Sequence, residues 1–182
     1  MIPITISTSF SLVEAAVTLF GNSAEKERKQ RVSILLRKLY AETRSNLDIL
    51  DLVKKENLKT DWLKSIKAVA PLLKNETASL VLLGTENCFK ELQIIQNDIN
   101  DLWSFNAEAG DEAEEKYEAP VNFKQAVAFC ANKIEILKSC AQIEEKDKDL
   151  FTKLVPLKRL ANIHNYSMII IKSLEAYFRD YA

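Results

Sequence analysis

The residue types that carry most enzyme chemistry are scarce in this chain. It has one histidine, His164, and three cysteines at irregular spacing, which match no zinc-binding pattern. One histidine cannot supply both Glu-x-x-His motifs of a di-iron bundle, and it leaves few options for a Ser-His-Asp triad. The three glycines stand far apart, so they form no phosphate-binding loop. We therefore expect neither a metal nor a cofactor.

One hexapeptide nevertheless has a spacing with chemical meaning. It consists of Arg159, Leu160, Ala161, Asn162, Ile163 and His164. It resembles the Arg-x(4-6)-His motif of HEPN domains, which are all-helical proteins that often act as metal-independent ribonucleases. The resemblance implies a homodimer that joins two motifs, with His164 as general acid or base on the ribose 2′-hydroxyl and Arg159 on the scissile phosphate. RNA is an expected partner under this alternative only.

The same histidine also fits a structural role. It is in line with Leu157, Ile171 and Phe178, which lie seven or fourteen residues away and belong to an apolar helical stripe. Residues five apart on a continuous helix point about 140° from each other, so Arg159 and His164 would not converge on one. This pattern favours a histidine in a core or an interface.

The clearest helix that could pack against this stripe is the run from Glu25 to Lys55. Its apolar residues recur every three or four positions, at Val32, Leu35, Leu36, Leu39, Leu47, Leu50 and Val53. Asn46 interrupts this stripe, with Thr43 close by. The two residues form either a polar pocket for a ligand or a buried amide that fixes helix register. If the first and last helices pack together, we expect a hydrogen bond between Asn46 and His164.

The rest of the chain predicts further helices near residues 61–74, 86–104, 122–141 and 157–181. Asn122 has the position of an N-cap, and Pro156 fits the first turn of the last helix. Pro71 predicts a kink or a division into two short helices. We expect a loop over 75–79, and both a helical turn and an isolated extended segment remain open for 80–84. Short connections favour an all-α, up-and-down bundle of four to five helices, with the first and last as its longest members.

The N-terminal residues 1–22 form an apolar segment ahead of a single bundle domain at 23–182. A short helix over 12–20 would either fold back on the bundle or provide a contact surface for a protein or a membrane. The candidate surface consists of Phe10, Val13, Val17, Phe20, Lys26, Arg28, Lys29 and Arg31. A membrane-surface effector that uses residues 1–31 is therefore a further alternative, with peripheral membrane contact.

Composition supports these expectations. Apolar residues make up 47% of 182, and only three glycines and four prolines are available for turns, which favours helices over a sheet. Lys and Arg (25) balance Asp and Glu (26), so we expect no DNA partner.

The acidic run at 107–118 predicts a solvated loop, and the odd cysteine count predicts a reducing, cytoplasmic location. The leading hypothesis is a non-catalytic bundle that acts through protein association, including self-association.

Overall fold

The computed structural model describes residues 25–55, 62–83, 89, 92–96, 102–103, 117–143 and 156–181. These residues form five α-helices and no strand. The helices are α1 (Glu25–Lys55), α2 (Trp62–Val69), α3 (Glu76–Leu83), α4 (Phe123–Ala141) and α5 (Pro156–Tyr181). The predicted all-α bundle is confirmed. The N-terminal segment 1–22, with the short helix predicted over 12–20, lies outside the described residues.

Helix α5 is the centre of the bundle. It packs against α4 and α1, and every residue from Leu160 to Leu174 is buried except Met168 and Lys172, which are half-buried. A helix buried around its whole circumference is typical of the interior of a domain. The sequence predicts a single apolar stripe here, and the buried surface of α5 extends well beyond that stripe.

Helices α1 and α5 are antiparallel neighbours, as contacts along their lengths show. The Tyr40 hydroxyl donates to Glu175 Oε1 at 2.9 Å, and the Arg37 guanidinium lies 5.2 Å from the centre of the Phe178 ring. Further along α1, Asp51 contacts α5 nearer to its N-terminus. The two longest helices therefore lie side by side.

A shorter layer fills the space between α1 and α4. It begins with α2, continues through a 3-10 turn at Ala70–Leu72 that contains Pro71, and ends with α3. The break predicted at Pro71 is confirmed. The loop predicted over 75–79 is wrong, because α3 begins at Glu76. The Glu42 carboxylate of α1 accepts the N–H groups of Thr77 (2.8 Å) and Ala78 (3.0 Å), which would otherwise be unpaired at a helix start.

The predicted helix over 86–104 is also wrong, since Leu92–Gln96 and Trp103 are not helical. The Ile95 N–H donates to Ser173 Oγ at 3.0 Å instead of to a carbonyl one turn back. The apolar spacing in this segment reflects packing on the bundle, where Leu92 is 7% exposed. Side chains of α5 thus accept backbone N–H groups that would have donated to carbonyls one turn back in a helix.

The two predicted helix starts are confirmed. The Asn122 side chain accepts the N–H of Gln125 at 2.8 Å as the N-cap of α4, and Pro156 is the first residue of α5. Across the described ranges, every helix is too short or too polar to pass through a lipid bilayer.

Candidate functional site

His164 lies at the contact between α1 and α5 and is 5% exposed. Its Nε2 lies 3.0 Å from Asp51 Oδ1, and its Nδ1 lies 3.4 Å from Asn165 Oδ1. The Trp103 ring lies nearly perpendicular to the imidazole, at 82°, with 5.3 Å between ring centres. The hydrogen bond expected between His164 and Asn46 is therefore wrong, because the partner on α1 is Asp51, which lies more than one turn further along the helix.

The orientation of Asn165 is fixed by a pair of bonds to Trp103. The Trp103 N–H donates to Asn165 Oδ1 at 2.9 Å, and Asn165 Nδ2 donates to the Trp103 carbonyl at 3.0 Å. The oxygen that faces His164 Nδ1 is therefore a hydrogen-bond acceptor. Each ring nitrogen of His164 thus lies against an acceptor oxygen of the protein itself.

Asn46 binds main chain in the same way on the other side of α1. Its Nδ2 donates to the Lys74 carbonyl at 2.6 Å, and its Oδ1 accepts the Lys74 N–H at 2.8 Å. Asn46 is 2% exposed, and Thr43, one turn before it, is also buried. Both amide atoms of Asn46 are thus occupied by the segment between the 3-10 turn and α3.

Tyr166 holds a third segment that follows no helical pattern. Its hydroxyl donates to the Glu118 carbonyl at 2.9 Å and accepts the Glu118 N–H at 3.3 Å, and its ring stacks on Tyr117 at 5.3 Å. Sequence reasoning missed this role, and those of Asp51, Asn165 and Ser173. For the three residues of α5, the available signal was the presence of polar residues in the apolar run 160–174, because a buried polar residue requires a partner.

The two residues of the HEPN-like hexapeptide do not converge within one chain. Arg159 is half-buried near the start of α5, and the helix is uninterrupted from Pro156 to Tyr181. Arg159 and His164 therefore project about 140° apart. Between them, Asn162 is 5% exposed, and its Nδ2 has no hydrogen-bond partner among the described residues.

Cys130 on α4 is a buried thiol that faces α5. Its Sγ lies 3.6 Å from Ser167 Oγ, and burial raises the pKa of the Cys130 thiol to about 11. It therefore remains protonated at neutral pH and is a poor nucleophile. Within the described ranges, no three His, Cys, Asp or Glu side chains come together in a way that could hold a metal ion.

The predicted N-terminal contact surface is only partly described. Its apolar members, Phe10, Val13, Val17 and Phe20, precede the first described residue, and Lys26 lies in the first turn of α1. Lys29 is exposed, whereas Arg28 and Arg31 are half-buried. Arg31 also pairs with Glu27 at 4.0 Å on the same helix, which offsets part of the positive charge of this cluster.

Comparisons with known proteins add no identification to this geometry. No family model matches the chain, and neither curated proteins nor solved structures gave a match.

Proposed function

We propose that this chain is a non-catalytic helical bundle that acts by binding protein chains, including copies of itself. The observation that carries the proposal is the use of the polar residues in the core. Asn46, Asn165 and Ser173 bind the main chain of the same molecule through hydrogen bonds of 2.6 to 3.0 Å. These groups stabilise the fold and fix the segments between helices.

The surroundings of His164 support this proposal. A general acid or base must offer a nitrogen to the substrate within hydrogen-bond distance. Both ring nitrogens of His164 instead face Asp51 and Asn165, and the ring is 5% exposed. Catalysis at this residue would require these contacts to open first.

The described surface offers apolar groups for association. Large apolar side chains at least 38% exposed occur at Ile34, Leu52, Leu72, Leu83, Ile95 and Val121. Burial of such side chains is a favourable term in protein association, at about 25 cal/mol per Å² of apolar surface.

A ribonuclease assay tests the proposal against its catalytic alternative. Purified wild-type protein, His164→Gln and Arg159→Gln are incubated with labelled RNA, with circular dichroism to confirm that each variant is folded. Glutamine retains a polar side chain at position 164, which limits the loss of packing. We expect equal, background cleavage by all three proteins. Cleavage by the wild type that both folded variants lack would overturn the proposal in favour of the HEPN-like enzyme.

A further inference from the structure

The side of α1 that points away from the bundle has an ordered pattern. Ile34 and Leu52 are 18 residues apart, which is five full turns, so they project in the same direction about 27 Å apart. They are 50% and 61% exposed. Four other exposed residues lie within about 40° of that direction. We call the six together the outer face of α1: Ile34, Lys38, Ala41, Ser45, Asp48 and Leu52.

This outer face is complementary to itself when its direction is reversed. Ile34 and Leu52 each lie nine residues from Thr43, one before it and one after it. Lys38 and Asp48 each lie five residues from the same point. An antiparallel copy centred at the level of Thr43 would thus place each apolar residue opposite an apolar one and each lysine opposite an aspartate.

The centre of the outer face suits close approach of two helices. Ala41 and Ser45 lie two residues on either side of Thr43, and both are small and exposed. Small side chains let helices reach the short end of the usual 8–10 Å separation. The Asp48 side chain is 61% exposed although it pairs with Arg44 at 3.3 Å on the same helix, so its carboxylate remains accessible to a second chain.

We propose that a second copy of this chain binds the outer face of α1, in an antiparallel dimer with two-fold symmetry. In such an isologous contact the same pairs occur twice, here two Lys38–Asp48 ion pairs and two Ile34–Leu52 contacts. One helix face of about 27 Å gives an interface below the standard size of about 1,200 to 2,000 Å². The dimer is accordingly weak and depends on concentration. The inference rests on the proposed function, for which it names the partner.

Charge reversal at two positions tests this surface. Lys38→Asp alone places aspartates opposite each other, and Asp48→Lys alone places lysines opposite each other. Because each contact occurs twice, we expect either variant to raise the dimer dissociation constant at least about tenfold. An equimolar mixture of the two variants restores both ion pairs, and so does the double variant. Sedimentation velocity from about 5 to 500 μM measures all four samples beside the wild type.

Lys74→Asp is the matched control, because it makes the same change of charge at an exposed side chain outside the outer face. We expect Lys74→Asp to dimerise like the wild type. We also expect 1 M NaCl to reduce the differences in dissociation constant among the variants, because salt screens the charges. The proposal that the outer face of α1 binds a second copy would be overturned by either of two results. One is a wild-type protein that is monomeric throughout the concentration range, and the other is single variants that dimerise like Lys74→Asp. A wild-type dimer that these substitutions do not weaken would show that the chain associates through another surface, and the proposed function would still stand. Only the ribonuclease assay decides between protein binding and catalysis.

Discussion

Asp51 and His164 are separated by 113 residues in the sequence, yet Asp51 Oδ1 and His164 Nε2 lie 3.0 Å apart. The pair connects the C-terminal half of α1 to the N-terminal half of α5. Asp51 is the more open partner, with a side chain 43% exposed against 6% for His164. Its loss would leave a nitrogen of a buried ring without its partner on α1.

Asp51→Ala is therefore expected to destabilise the fold. An unpaired buried polar group costs about 1 to 3 kcal/mol, and partial access of water at Asp51 places the loss near the lower end. For a domain of this size, 1 kcal/mol lowers the melting temperature by about 2 to 4 °C. Thermal unfolding measures this, with Asp180→Ala, at an exposed position near the end of α5, as the control. Equal melting temperatures for the two variants would show that the contact with His164 has no stabilising role.

Asn46→Asp should lower the free energy of unfolding by more than the small change in side-chain shape suggests. The substitution replaces the Nδ2 donor by an oxygen that faces the Lys74 carbonyl and puts a charge at a site that is 2% exposed. We expect a loss of about 2 to 3 kcal/mol in the free energy of unfolding, measured by urea denaturation. Ser45→Ala, at the exposed neighbouring position, should change it by less than about 0.5 kcal/mol. A loss below 0.5 kcal/mol for Asn46→Asp would contradict the role assigned to this amide.

Asn165→Ala should release the segment at Trp103 while leaving the bundle folded. The Trp103 N–H would lose its acceptor, so hydrogen exchange at that amide should accelerate at least about tenfold. In a Trp62→Phe background, the fluorescence of Trp103 should also shift to longer wavelength as the ring becomes solvated. Ser173→Ala is the internal control, because it should accelerate exchange at Ile95 and leave Trp103 protected. Unchanged exchange at Trp103 in Asn165→Ala would rule out this anchoring role.

Cys130 should make the fold sensitive to alkaline pH. Burial raises the pKa of its thiol from 9.0 to about 11, so the folded state retains a proton that the unfolded chain releases more readily. The resulting stability is present in full below pH 9 and is lost as the pH rises from 9 to 11, by about 3 kcal/mol in total. Urea denaturation between pH 8 and 11 measures the loss. Cys130→Ala should have a flatter profile, and profiles of equal slope would disprove the assignment.

The first and last helices could be predicted from sequence because their apolar residues recur over many turns. Periodicity over 31 and 26 residues is a strong signal, and Asn122 and Pro156 show two helix starts through local chemistry. The burial of α5 on all sides was not predictable in the same way. A pattern along one helix does not show how many neighbours surround it.

The errors share a physical cause, since each depends on a side chain distant in the sequence. The helix at 76–83 begins where Glu42 supplies a cap from 35 residues away. The segment at 92–96 is not helical, and Ser173 accepts the Ile95 N–H across 78 residues. Local periodicity contains no information about such partners. For the same reason, local periodicity could not identify Asp51 as the partner of His164.

The central position of α5 has a consequence for how the chain folds during synthesis. Helices α1 to α4 leave the ribosome before α5, yet the apolar surfaces of α1 and α4 are buried against α5. A nascent chain that ends before residue 156 therefore exposes these surfaces, which favours aggregation or binding by chaperones. Contacts between α1 and α5 bridge 113 to 141 residues, so closure of the core is slow for an all-helical protein. Helix α5 thus completes the packing of α1 and α4, although it is synthesised after both.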